Sequence, residues 1–155
     1  MHRYLATIDI GTNSVHMAVM RLDASGHYEI LTREKEAVRL GSGGHDLDLI
    51  KPEAMDRALL ALERFCRIAR DYQAEIRAVA TSAVREATNQ ADFLRELKRR
   101  CKIECEVVSG KEEARLIYLG ILMGMPLFDR RILAIDIGGG STEFTVGEHG
   151  QTLFS

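Results

Sequence analysis

The sequence has no tryptophan, only two prolines (Pro52 and Pro126), only three cysteines and no long apolar run. A stretch of about 20 apolar residues is needed to cross a bilayer, and none approaches that length. Charges and glycine break the first apolar segment early, so it does not read as a secretory signal. Cys66, Cys101 and Cys105 are odd in number and form no tight pair, a pattern of free thiols in a reducing compartment rather than a disulfide framework. Cys101 and Cys105 have no second pair or neighbouring histidine to complete a metal site. An excess of one charge is also missing: 21 Lys and Arg against 23 Asp and Glu leave a net charge of -2. That balance argues against a general nucleic-acid or membrane binder. The expectation is a cytoplasmic protein, and any polyanionic ligand needs a local patch of Lys, Arg and backbone N–H groups.

What is present is ordinary globular material. The 155 residues are 46% hydrophobic and 28% charged, enough for one domain with a core and part of another. Tyr4 to Ile10, Val15 to Leu22 and Tyr28 to Leu40 read as three strands of an antiparallel meander, with Ser25-Gly26 as a turn. Gly41-Ser42-Gly43-Gly44 is a loop. Pro52 opens a long helix, and Ala58, Leu62, Phe65, Cys66 and Ala69 recur as its buried stripe. Ile76 to Ala80 is a strand. Asn89 can cap a helix reaching about Arg100, with Phe93, Leu94 and Leu97 inward. Ile103 to Val108 is a strand, Ser109 to about Gly124 a helix, Ile132 to Ile137 a strand, Gly138 to Gly140 a turn and Thr142 to Val146 a returning strand. The order β-β-β-α-β-α-β-α predicts an α/β, ribonuclease-H-like mixed sheet with helices on its faces. The opening hairpin of a second similar domain follows. The expected domains are 1–125 and 126–155, the rest of the second domain being absent.

An internal repeat supports two related domains. Ile8-Asp9-Ile10-Gly11-Thr12-Asn13-Ser14 returns as Ile135-Asp136-Ile137-Gly138-Gly139-Gly140-Ser141, identical at five of seven positions and offset by 127 residues. A spacing of that size is a domain, not a solenoid repeat.

Centring the second hairpin on Gly139-Gly140 sets Asp136 opposite Glu143. Opposed residues share a face with Cβ atoms ~5 Å apart. Two facing carboxylates repel unless a cation or proton lies between them, and a hard ion such as Mg²⁺ suits the pair, with phosphate and water completing its shell. The glycines let backbone N–H groups approach a phosphate closely. The first hairpin repeats the plan, with Asp9 opposite His16 and Gly11, Thr12, Asn13 and Ser14 at the tip. Read as structure alone, Asp9 and Asp136 merely shape turns, but the repeated context favours function, because an aspartate at the inner end of an apolar strand is costly without a partner.

Ser109-Gly110-Lys111-Glu112-Glu113-Ala114-Arg115 follows a strand and opens a helix. Ser109 and Glu112 fit a capping box. Glu113 is left for one of two roles: a carboxylate that interacts with the helix dipole, or a base that orients water for attack on phosphorus. In Thr81-Ser82-Ala83-Val84-Arg85-Glu86, Arg85 can pair with phosphate oxygens or simply lie exposed. Lys111, Arg115 and Arg39 are weaker candidates of the same kind. The runs Lys98-Arg99-Arg100 and Arg130-Arg131 read as solvated surface.

Taken in order, Asp9 to Ser14, Thr81 to Arg85, Ser109 to Ile117 and Asp136 to Glu143 resemble the exopolyphosphatase and guanosine pentaphosphate phosphohydrolase (Ppx/GppA) family, within the actin-like ATPase superfamily. The resemblance covers essentially the whole chain. It implies a two-domain actin-like fold with its active site between the domains. It implies that Glu113 is the catalytic base or positions the water, with Asp136 and Glu143 binding Mg²⁺ or assisting that water. Asp9 is a further metal candidate. Arg85 and the two tips, Gly11 to Ser14 and Gly138 to Ser141, hold phosphate. The substrate is polyphosphate or guanosine pentaphosphate, and a longer family member is a homodimer. Family members continue beyond this length, so these residues alone are expected to be inactive. Two other readings stay open: an actin-like ATP-dependent kinase of a small molecule, and a nucleotide-binding actin-like scaffold.

Overall fold

The computed structural model describes residues 2–41 and 49–155, so the expected Gly41–Gly44 loop lies, beyond Gly41, outside the described residues. The elements are β1 (Arg3–Ile10), β2 (Ser14–Leu22), β3 (Tyr28–Ala37), α1 (Pro52–Asp71), β4 (Glu75–Ala80), α2 (Ser82–Arg85), α3 (Gln90–Cys101), β5 (Cys105–Val107), α4 (Gly110–Gly124), β6 (Ile132–Ile137), β7 (Thr142–Glu148) and β8 (Gln151–Phe154). They form an α/β fold with a five-stranded mixed sheet in the order β3-β2-β1-β4-β5 and a three-stranded sheet in the order β6-β7-β8. β1, β2 and β3 pair antiparallel, while β4 runs parallel to β1 and β5 parallel to β4.

By compactness the chain divides into Met1–Val107 and Val108–Ser155. Helix α4, which the sequence reading places at the end of the first domain, groups with β6 to β8.

In the first unit, alternation decides which side of the sheet is buried. Ala6, Ile8 and Ile10 of β1 and Val15, Met17 and Val19 of β2 share one core with α1 and α3. Leu62, Phe65, Cys66 and Ala69 of α1, and Phe93, Leu97 and Cys101 of α3, complete it. Burying a side chain of Leu or Phe size contributes roughly 1.5–3 kcal/mol. Asp9, His16 and Lys35 alternate onto the other face and are exposed. Arg100 of α3 clamps Glu63 of α1 with two hydrogen bonds, Nε to Oε1 at 2.8 Å and Nη2 to Oε2 at 3.0 Å.

Several local expectations are corrected. β3 ends at Ala37 rather than Leu40, because the N–H groups of Val38 and Arg39 both turn to the Asn13 carbonyl, each at 3.0 Å. Asn89 does not cap α3 with its side chain. Its Oδ1 accepts from the Ile50 N–H at 3.0 Å and its Nδ2 donates to the Ile50 carbonyl at 2.9 Å, fastening the approach to α1 instead. The Ser109 cap forms, its Oγ accepting from the Glu112 N–H at 3.2 Å. The other half of the box does not, since Glu112 is taken by Arg115 at 2.7 and 2.8 Å. β5 is shorter than expected, and α2 and β8 are additions.

In the second unit α4 lies against the small sheet. Tyr118 is fully buried, and a Cβ placed on Gly147 would come within 2.3 Å of its ring. Leu133, Ile135 and Ile137 correspond to Ala6, Ile8 and Ile10 of the first unit. They are 59%, 53% and 79% exposed, so the strand face that the first unit buries is open here.

Candidate functional site

Each hairpin is built the same way. In the first, Asp9 pairs with His16 and Ile10 with Val15; in the second, Asp136 pairs with Glu143 and Ile137 with Thr142. Adding 127 to the six pairs from Leu5–Met20 to Ile10–Val15 gives the whole second register. The tips close alike: the Gly11 N–H donates to the Ser14 carbonyl at 3.1 Å, and the Gly138 N–H donates to the Ser141 carbonyl at 2.9 Å. A Cβ on Gly11 would lie 3.1 Å from the Ser14 oxygen, and one on Gly138 would lie 3.3 Å from the Ser141 oxygen. Glycine at both positions therefore lets the turn close tightly. Gly138, Gly139 and Gly140 are exposed, with their backbone open to a ligand.

The first tip is fastened to its surroundings. Thr12 is buried, and its Oγ1 lies 2.8 Å from Ser82 Oγ at the start of α2. The Thr81 N–H donates to the Ile10 carbonyl at 3.2 Å, docking α2 on the end of β1. Gln90 holds the far end of α2 by donating to the Val84 and Arg85 carbonyls at 3.0 and 3.2 Å. Arg85, at the end of this short helix, donates from Nε to Glu86 at 3.0 Å and keeps 21% of its side chain exposed. Asn13 is exposed, and Ser14 Oγ lies 2.8 Å from His16 Nε2. Asp9 lies close enough to Cys105 for its charge to contribute to that thiol's shift. Burial first, then Glu106 and Asp9, push Cys105 up to about 12, so it stays a neutral thiol.

The second unit gathers the carboxylates. Glu113 is half-buried in the first turn of α4, its N–H donating to the Ser109 carbonyl at 2.8 Å. Asp136 and Glu143 face α4's side of the sheet, both half-buried. Glu143 Oε2 is buried without a hydrogen-bond partner, as are the hydroxyls of Tyr118 and Thr152. An orphaned carboxylate oxygen beside a second carboxylate is costly unless a cation joins them. Among the described residues no group of three or more His, Cys, Asp or Glu could hold a metal. The donors thus fit an ion that takes two carboxylates and fills its shell with water and phosphate, which is how Mg²⁺ binds.

The structure therefore brings Asp9, Gly11 to Ser14 and Arg85 into one unit. It places Glu113, Asp136, Gly138 to Ser141 and Glu143 in the other. The sequence reading missed Ser82 as the partner of Thr12. The signal was present, since Thr81-Ser82 directly follows a strand parallel to β1.

The Ppx/GppA phosphatase family model matches residues 18–155. Among solved structures, an exopolyphosphatase from Cytophaga hutchinsonii is 37% identical with a TM-score of 0.92, over 98% of this chain and 49% of that one. The PPX-GPPA enzyme of Aquifex aeolicus is 26% identical with a TM-score of 0.88, over 99% of this chain and 51% of that one. The ethanolamine utilization protein EutJ from Carboxydothermus hydrogenoformans, 18% identical with a TM-score of 0.56 over 97% of this chain and 50% of that one, is similar in fold. The chain spans about half the length of the solved relatives it matches.

Proposed function

The chain belongs to the Ppx/GppA phosphatase family, and from that premise we propose that it supplies the phosphate-gripping half of a phosphohydrolase. The reaction releases terminal orthophosphate from inorganic polyphosphate or guanosine pentaphosphate. The observation that carries the reading is the pair of glycine-tipped hairpins in one register, with Asp136 and the orphaned Glu143 opposed in the second.

The N–H groups of Gly11 to Ser14 and Gly138 to Ser141, with Arg85, bind and orient the terminal phosphates. Such donors act best where negative charge accumulates as the bond breaks. Glu113 accepts a proton from water and aims it in line with the leaving oxygen, with Glu143 as the second carboxylate able to assist. Asp136 and Glu143 would hold Mg²⁺; when bound, the ion offsets charge on the phosphate oxygens. The longer enzyme is proposed to be a homodimer.

The test is orthophosphate release from long-chain polyphosphate with Mg²⁺. It compares residues 1–155 with a version extended through the rest of the second domain. Release by the extended protein alone supports the reading. Release by neither, from polyphosphate or from guanosine pentaphosphate, overturns it.

A further inference from the structure

Strand β3 sorts its charges. Its carboxylates are already engaged by arginines: Glu29 with Arg21, and Glu34 and Glu36 with Arg64. Its cations Arg33 and Lys35, and Arg39 just beyond it, have no ion-pair partner among the described residues. Lys35 pairs in register with His16 and Arg33 with Ala18, so these cations share the sheet face that carries Asp9, not the core face.

They also line space beside the first hairpin. A cavity of 430 Å³ is bounded by Asn13 and Ser14 of the tip and by Lys35 and Arg39, with no carboxylate in its wall. A second cavity, of 410 Å³, is bounded by His16, Arg33, Glu34 and Lys35. Lys35 belongs to both, so the two spaces adjoin at its side chain.

The backbone at Arg39 points the same way. Among the described residues, four non-glycine residues have positive φ: Arg39, Gln73, Lys102 and His149. Gln73 and Lys102 follow α1 and α3, where left-handed residues commonly end helices, and His149 lies in the β7–β8 turn. Arg39, at φ 50°, ends no helix and joins no hairpin. It holds that angle while its N–H and that of Val38 grip the Asn13 carbonyl. A left-handed arginine is uncommon and costs energy. Here it fixes a guanidinium-bearing residue beside the tip proposed to bind phosphate.

We propose that Arg39, Lys35 and Arg33 form a subsite for the phosphate chain of linear inorganic polyphosphate beyond its reacting end. The proposal rests on the phosphohydrolase reading and narrows its substrate class. Arg33 and Lys35 lie ~7 Å apart along β3, and Arg39 follows two residues past the strand's end, a row of cations suited to a polyanionic polymer. Neither cavity has a Phe, Tyr or Trp side chain in its wall and His16 is the single ring there, so the strip lacks the series of stacking platforms by which proteins usually hold successive bases.

The test is the double variant Lys35→Gln/Arg39→Gln in the extended protein. KM for long-chain polyphosphate should rise at least ~10-fold more than KM for tripolyphosphate, as expected for loss of two charge-assisted contacts. The slope of log affinity against log salt should fall by about 1–2. Equal changes for long and short chains, or none for either, overturn the subsite. If the unmutated protein releases no orthophosphate, the phosphohydrolase reading fails by itself. Anisotropy of labelled long-chain polyphosphate on residues 1–155 then decides the subsite, with weaker binding by the variant supporting it and equal binding overturning it. An oligonucleotide that binds as tightly, and is weakened as much by the two changes, also overturns it.

Discussion

Tyr118 packs directly against Gly147. A methyl group on Gly147 would lie 2.3 Å from the ring Cζ and 2.5 and 2.7 Å from the two Cε atoms. Gly147→Ala should therefore force α4 off the small sheet, at a cost of ~1–3 kcal/mol typical of overpacking. Thermal unfolding of the variant checks this. Adding Tyr118→Leu should recover part of the loss, because the colliding ring is gone. A double-mutant cycle with no coupling would show that the collision is relieved elsewhere.

Glu113 is carried on the same helix, in its first turn. In the extended protein, Glu113→Gln should lower kcat for orthophosphate release by ~100-fold or more while KM changes little, as for loss of a general base. Comparable activity in the variant would make Glu143 the next residue to test.

The sequence made the hairpins legible because their geometry is local. Counting outward from Gly139-Gly140 is enough to oppose Asp136 and Glu143, and the same count opposes Asp9 and His16. The α1 stripe was legible for the same reason, since helical spacing alone selects Leu62, Phe65 and Cys66. What escaped depends on partners distant in the chain. Asn89 looked like a cap, but it is 39 residues from the Ile50 backbone that claims its side chain. Thr12 reads in the sequence only as part of the phosphate-holding tip, but Ser82, 70 residues on, is the partner of its hydroxyl. The end of β3 is set by the Asn13 carbonyl rather than by any residue near Leu40. Lys35 gained meaning, and Arg39 rose from a weaker phosphate candidate, only when both came to line one cavity with Ser14.

Acid should weaken the α1–α3 contact through one pair. Arg100, hydrogen-bonded to Glu63, holds that carboxyl below the ordinary carboxylate range; nearby Arg67 and Arg99 add smaller contributions. A lowered folded-state pKa means the stabilisation is fully present above the unfolded value, ~4.3 for Glu. It is lost as pH falls through the folded value. The pair keeps 19% and 32% side-chain exposure, so solvent screening limits its contribution to about 1 kcal/mol. Glu63→Gln should lower stability by that amount at neutral pH and flatten the dependence below about pH 4.5. Chemical denaturation at neutral and acid pH measures both, and parallel curves for the two proteins would remove Glu63 from the acid response.

The paired carboxylates make a prediction that needs no turnover. With no cation present, Asp136 and Glu143 oppose each other across β6 and β7, and Glu143 Oε2 is buried without a partner. Directly opposed like charges cost roughly 0.2–1 kcal/mol, so Glu143→Gln should raise the melting temperature of residues 1–155 in metal-free buffer. Mg²⁺ should stabilise the unmutated chain instead, by ~1 kcal/mol at about five times its Kd. Asp136→Asn and Glu143→Gln should each abolish that gain, because two carboxylates are the minimum these donors offer. Thermal unfolding with and without Mg²⁺ reads both effects, and Ca²⁺ provides a contrast, since it requires more oxygen ligands than the pair supplies. If the Mg²⁺ gain persists in both variants, the ion binds away from this hairpin. Glu143 would then be left as a partner for water alone, its orphaned oxygen satisfied by solvent beneath α4.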